Sequence, residues 1–160
     1  MLTPSDLQGY LNAHAISAEI VFLDVPTPTV ETAAQAVGTT PNQIVKSILF
    51  LVADLPVLAI ACGLDYIDRH PIAALYGVGK KQVKLASPQK VLDIAGYEAG
   101  AMPPFAHLTP LPTLIDRRVM AQPLVYSGGG AGNALMRVDP QNILRATQAR
   151  LMDLVATPDS

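Results

Sequence analysis

One cysteine and no tryptophan occur in 160 residues. A lone Cys62 can form no internal disulfide, so no covalent staple organises this chain. With aromatic residues at 5% and hydrophobic residues at 50%, the interior must be filled by aliphatic side chains. Charged residues are also scarce, at 15%, and a chain this apolar is not intrinsically disordered. Long apolar runs are missing as well: Pro, Gly or a charge interrupts each one well short of the ~20 residues that cross a bilayer. The opening residues, Met1 to Asp6, show no basic region followed by an apolar stretch, which speaks against a secretory signal. A cytoplasmic protein with no membrane partner is expected, folded as one domain over residues 1–160.

Familiar catalytic patterns are equally absent. His14, His70 and His107 are scattered without metal-ligand spacing, so neither a metal nor another cofactor is expected. Gly77-Val78-Gly79-Lys80 lacks the remainder of a phosphate loop, and Gly128-Gly129-Gly130 precedes no Lys-Ser/Thr pair. Cys62 ends an aliphatic strand, where a thiol behaves as a small buried hydrophobe rather than a nucleophile. No nucleophile and base pair is visible, which disfavours a general esterase. The net charge of -2 argues against an extended surface for duplex DNA. The balance conceals a local bias, because Arg69, Lys80, Lys81, Lys84 and Lys90 fall in a stretch without a carboxylate. That stretch is either a solvated face or a nucleic-acid contact.

Helix and strand signals alternate along the chain. Thr3-Pro4 opens a helix to about His14, and a strand is expected from Ile20 to Val25. Thr29 caps a helix from Val30 to Val37 that Gly38 ends, and Thr40-Pro41-Asn42-Gln43 caps one more turn. Ile44 to Val52 and Val57 to Cys62 read as a central hairpin. A helix from Asp68 to Tyr76, a strand from Val83 to Ala86 and a helix from Pro88 to Ala95 follow. Gly96 to Pro112 is a long loop without periodicity, and loops of that length in compact domains are often functional. Strands are expected at Thr113 to Asp116, Leu124 to Ser127 and Ala134 to Val138, with a helical region starting at Pro140.

Two features carry chemistry. Lys46 is the one charge in the apolar strand Ile44 to Val52, sharing a face with Ile44, Ile48 and Phe50 while Val45, Ser47, Leu49 and Leu51 share the other. Such a lysine either snorkels to the strand end or sits over a hydrophobic floor and needs an anion: a distant carboxylate, or a ligand with a phosphate or carboxylate. The second feature is the loop around Gly100-Ala101-Met102-Pro103-Pro104, where glycine permits close approach and adjacent prolines stiffen the chain. It is either an ordinary surface loop or a platform presenting main-chain groups to a ligand.

Together, Thr29-Val30-Glu31-Thr32-Ala33-Ala34 before Gly38, Ile44-Val45-Lys46-Ser47-Ile48-Leu49-Phe50, Lys84-Leu85-Ala86-Ser87, Gly96-Tyr97 and Gly100 to Phe105 resemble the YbaK and prolyl-tRNA synthetase associated editing family, in order and spacing, across most of the chain. The resemblance implies a mixed α/β (α+β) fold, with a compact, partly barrel-like sheet flanked by helices. It also implies a free-standing enzyme that hydrolyses the ester of a mischarged aminoacyl-tRNA, with the aminoacylated 3' end as substrate and an aminoacyl-tRNA synthetase as a further partner. The family's lysine falls on Lys46 and its Gly-x-x-x-Pro loop on Gly100, Ala101, Met102, Pro103 and Pro104. His107, in a Pro-Pro-Phe-x-His ending, either borders the pocket or is a surface histidine; the late glycine turn falls on Ser127, Gly128, Gly129 and Asn133. A specificity histidine of some family members has no counterpart beyond His107, so the resemblance does not carry their alanine specificity over to this chain. Pocket volume is then expected to depend on residues such as Ile44, Ile48 and Met102. A different class remains open: a noncatalytic module that binds an aminoacylated or nucleotide-like ligand, or docks on a synthetase.

Overall fold

Residues 1–155 are described here from a computed structural model. Among them, eight strands form two sheets, ordered β1-β7-β6 and β4-β2-β3-β5-β8, with helices around them. The centre is the hairpin of β2 (Val45–Val52) and β3 (Leu55–Cys62). Its two-residue turn, Ala53-Asp54, takes positive φ at both positions, 47° and 69°, and so twists with the strands. Burial is nearly complete along β3, where Leu58, Ala59, Ile60 and Ala61 are 0% exposed. β4 (Val83–Leu85) adds antiparallel to residues 50–52, while β5 (Thr113–Asp116) and β8 (Arg150–Met152) add in parallel on the far side.

The smaller sheet sets β7 (Ala134–Val138) between β1 (Ala18–Phe22) and β6 (Val125–Gly128), antiparallel to both. Neither sheet closes on itself. A parallel bridge between Ile44 and Tyr126 joins them, so the partial barrel consists of two open sheets meeting at the start of β2.

Helix positions follow their caps. Thr3 and Thr29 each form a capping box, opening α1 (Pro4–Ala13) and α2 (Val30–Val37), and Gly38 ends α2 in the left-handed region. Asp68 caps α3 (Arg69–Tyr76), Ser87 caps α4 (Pro88–Ala95), and Asp139 caps α6 (Pro140–Thr147). Residues 41–43 form the expected single turn, a 3-10 helix held by Thr39 Oγ1 and Gln43 rather than by the Thr40 side chain.

Three departures have physical causes. β1 lies at residues 18–22 rather than 20–25, because its register against β7 starts at Ala18 opposite Val138. The four-residue α5 (Arg117–Met120) is nucleated by Asp116, whose Oδ1 accepts the Arg118 N–H at 2.8 Å. β8 has only three residues and no alternating pattern; its pairing to β5 is purely tertiary. No helix among the described residues is long and apolar enough to cross a membrane.

Candidate functional site

β2 leads into the site. Gly63 donates its N–H to the Ile44 carbonyl at 3.1 Å, which fixes the alternation along the hairpin. Main-chain groups of Lys46 and Ile48 turn toward β3; those of Val45, Ser47 and Leu49 turn away from it. On that outer side Ala86 N–H closes on the Leu49 carbonyl at 3.0 Å and β4 continues along residues 50–52. The Ile44 bridge to Tyr126 closes the other end. Ser47 lies in the gap, with no strand paired to it on that side.

The loop from Gly96 to Pro112 forms the opposite rim, and it is ordered by its own contacts. Tyr97 is fully buried and donates its hydroxyl to the Ala106 carbonyl at 3.0 Å; burial pushes its phenol up to about 12. His107 Nε2 donates to the Pro103 carbonyl at 2.8 Å. Ala101 accepts the Gly130 N–H at 2.9 Å, tying the rim to the glycine turn after β6. Ala101, Met102, Pro103, Pro104 and Phe105 are all buried, so this is an inner wall rather than a surface loop. The close approach demands glycine at 128: a Cβ there would stand 2.5 Å from the Met102 carbonyl oxygen and 2.7 Å from that of Ala101. Gly100 turns the rim at a φ of +86°.

Between β2 and the rim lies a cavity of about 250 Å³. It brings together Lys46, Gly100, Met102, Ser127 and Gly128 from the expected set, and also Ile44 and Ile48. Both faces of β2 contribute, because the strand's bare outer edge opens into the space. Thr27, Val30, Ala33 and Leu135 complete its apolar and hydroxyl-bearing side. Sequence reasoning gave none of these four a place in the site, although Val30 and Ala33 fall in the Thr29 to Ala34 motif; the capped start of α2 was visible, but its approach to β2 is tertiary. A second cavity of about 210 Å³ shares Ser47, Ile48, Gly100 and Met102 and continues toward Leu85, Pro88 and Val91.

The Lys46 ammonium donates to the main-chain carbonyl of Asp65, in the loop after β3. The Asp65 carboxylate is engaged elsewhere, by Arg118 Nη1 at 3.3 Å. Lys46 is thus held by a neutral oxygen and is not locked onto an internal acid, the arrangement that leaves a cation able to take an anionic ligand. Burial lowers its pKa below the ordinary 10.5, opposed chiefly by the Asp65 charge.

Other expected residues lie apart from this cavity. His107 and Pro104 line a separate one, beside Tyr10, Thr109 and Ala146, so His107 does not border the lysine pocket. Ala101, Pro103 and Gly129 support the rim and turn without lining the cavity. The Asn133 side chain donates to the Leu23 carbonyl at 3.4 Å, joining the β6–β7 turn to the end of β1. Burial, with Asp116 nearby, pushes the Cys62 thiol up to about 11, so it stays protonated at neutral pH. In the basic stretch, Arg69 turns inward, donating to the Val83 carbonyl at 3.1 Å and lying over the Phe50 ring. Lys80, Lys81, Lys84 and Lys90 are exposed, and none forms an ion pair among the described residues.

Comparison with known proteins adds an independent finding. The model of the aminoacyl-tRNA editing domain matches residues 24–146. A crystal structure of a protein put forward as a trans-editing enzyme for prolyl tRNA synthetase superposes with a TM-score of 0.87 at 32% identity, covering 96% of this chain and 97% of that one. A scaffold protein used for presenting grafted linear epitopes superposes with a TM-score of 0.89 at 31% identity, covering 97% of each chain. The uncharacterized protein YwhH of Bacillus subtilis (strain 168) is 25% identical over 126 residues, 78% of each chain.

Proposed function

The chain belongs to the aminoacyl-tRNA editing domain family, and from that membership we propose that it is a deacylase, hydrolysing the ester between a wrongly attached amino acid and the 3' end of its tRNA. Lys46 binds a phosphate or ribose oxygen of the terminal adenosine, and main-chain groups of the Gly100 to Pro104 rim grip the ribose. The ester is held beside a water, and the neighbouring ribose hydroxyl assists its attack. No protein base is needed, because an ester is already reactive and fixing its geometry supplies much of the rate.

One observation carries this reading: a partly buried ammonium, resting on a carbonyl rather than a carboxylate, lines the same cavity as the glycine-opened rim. The purpose of such a site follows from binding energetics. An apolar pocket separates side chains differing by one methylene by only ~1–3 kcal/mol, so a second sieve is required. Ile44, Ile48 and Met102, all lining the cavity, set its volume.

The solved relative's description makes tRNA of the proline system the first acceptor to test and its synthetase the first partner. Purified protein is incubated with a panel of mischarged tRNAs, and release of free amino acid is measured. Lys46→Ala is expected to lower kcat/KM by roughly tenfold to a hundredfold, the value of one charge-assisted hydrogen bond. An unchanged rate in a folded Lys46→Ala protein removes the role given to the lysine. Tight binding of aminoacyl-tRNA without any release would instead mark a noncatalytic binding module.

A further inference from the structure

The Lys46 ammonium rests on the weaker acceptor of the residue it touches. It donates to the Asp65 main-chain carbonyl, while the carboxylate of the same residue goes to Arg118 Nη1 at 3.3 Å. A carboxylate is the stronger acceptor for an ammonium, because both ends of the bond are then charged. Asp65 also supplies the chief charge opposing the effect of burial on Lys46; Cys62, the other titrating neighbour, stays protonated at neutral pH. One rotation about the Asp65 Cα–Cβ bond separates the two arrangements, since the ammonium already touches that residue. An internal ion pair is thus within reach and unmade, and Arg118 occupies the acid that would make it.

Arg118 reaches that place from a buried anchor. Asp116 Oδ1 accepts the Arg118 N–H at 2.8 Å, and the same carboxylate, 2% exposed, also takes the Leu154 and Val155 N–H groups. The loop bearing Asp65 is tied at both ends, by Gly63 N–H on the Ile44 carbonyl at 3.1 Å and by Asp68 N–H on the Leu154 carbonyl at 2.7 Å. The Arg118–Asp65 pair itself lies largely in solvent, with 43% of the arginine and 60% of the aspartate side chain exposed, and such a pair adds little to stability. Its effect lies in where it puts the carboxylate. We propose that Arg118 is a positioning residue: by engaging the Asp65 carboxylate it keeps Lys46 on a neutral carbonyl, open to an anionic ligand group. On the deacylase reading, on which this inference rests, that group is the phosphate of the tRNA's terminal nucleotide. With Arg118 gone, Asp65 pairs with Lys46 and the substrate must displace an internal acid. The penalty falls on binding, and so on KM, rather than on the chemical step.

The test measures kcat and KM, on a mischarged tRNA that the wild-type chain hydrolyses, for wild type, Arg118→Gln, Asp65→Asn and the double variant. Arg118→Gln is expected to raise KM by about tenfold with kcat nearly unchanged. In the Asp65→Asn background the same replacement is expected to change KM by less than about twofold, since no carboxylate remains to capture the lysine. An equal rise in both backgrounds would mean that Arg118 contacts tRNA directly and overturns the proposal, as does an unchanged KM in Arg118→Gln. Thermal melts of all variants establish that the fold is retained. A second readout needs no substrate: the titration of Lys46, followed through the NMR shift of its labelled Cε. Its midpoint is expected to rise in Arg118→Gln, because contact with a carboxylate favours the ammonium, and the same replacement is expected to leave it in place when residue 65 is Asn. A midpoint that fails to rise sinks the proposal while leaving the deacylase reading intact. If the wild-type chain hydrolyses no aminoacyl-tRNA, the deacylase reading falls, and the titration by itself decides the role of Arg118.

Discussion

Burial holds the His107 imidazole below its ordinary value of 6.5, against the opposing pull of its bond to the Pro103 carbonyl. As pH falls, the unfolded chain therefore takes up this proton before the folded one does, and stability is lost from about pH 6.5 downward. His107→Gln, which keeps a donor for Pro103 without a titrating ring, is expected to flatten that loss. Urea midpoints compared at about pH 7.5 and about pH 5 measure it. The two rim glycines differ in the same concrete way. At Gly100 an added Cβ meets nothing within 4 Å, so alanine there costs only its φ of +86°, about 1–2 kcal/mol. At Gly128 it meets two main-chain oxygens, so alanine must push the rim off β6 and is expected to abolish deacylation while Gly100→Ala retains a measurable rate. Denaturation and activity assays run in parallel separate the two effects. Lys46 was legible because a charge in an apolar strand demands an explanation. Ser47 and Thr27 were not, since a serine in a strand and a threonine between prolines are ordinary until it is known that β4 stops at residue 50.

Elements with local signatures were readable: a threonine and proline at α1, a threonine and a terminal glycine around α2, an apolar hairpin at β2 and β3. Elements held only by distant contacts were not. β8 is the clearest case, because Asp116 gathers that end of the chain through side-chain bonds that no pattern announces. Its carboxylate, 2% exposed, accepts Leu154 N–H at 2.7 Å and Val155 N–H at 3.1 Å as well as capping α5. Asp116→Ala strands three N–H groups, two of them buried, and at about 1.5–3 kcal/mol for a bond to a charged group the loss is expected to exceed about 3 kcal/mol. Chemical denaturation reads the total, and hydrogen exchange is expected to show β8 and Leu154 losing protection first. Little change in either would mean that β8 docks through its apolar contacts alone.

At the level of the whole molecule, the mixed α/β class followed from the alternation of signals, but the division into two sheets did not, since strand order is decided by packing between segments far apart in sequence. The same holds for charge. The slightly negative total hides four exposed lysines at positions 80, 81, 84 and 90 that form no ion pair among the described residues, two of which flank Leu85 and Pro88 of the second cavity. If these lysines meet tRNA phosphates, replacing all four by alanine reduces the steepness of log kcat/KM against log salt by about 0.7 to 0.9 per contact. A salt titration of deacylation in wild-type and quadruple-variant protein measures this, and an unchanged slope would return the stretch to a solvated face. β2, finally, serves two sheets: Ile44, the residue just before it, touches the small one and its last three residues meet β4 of the large one, with bare edge between. An occupant of that gap behaves as a missing rung, welding the halves into one mechanical body. Ligand arrival will then slow amide exchange in β1 and in β5 together, although neither strand touches the guest.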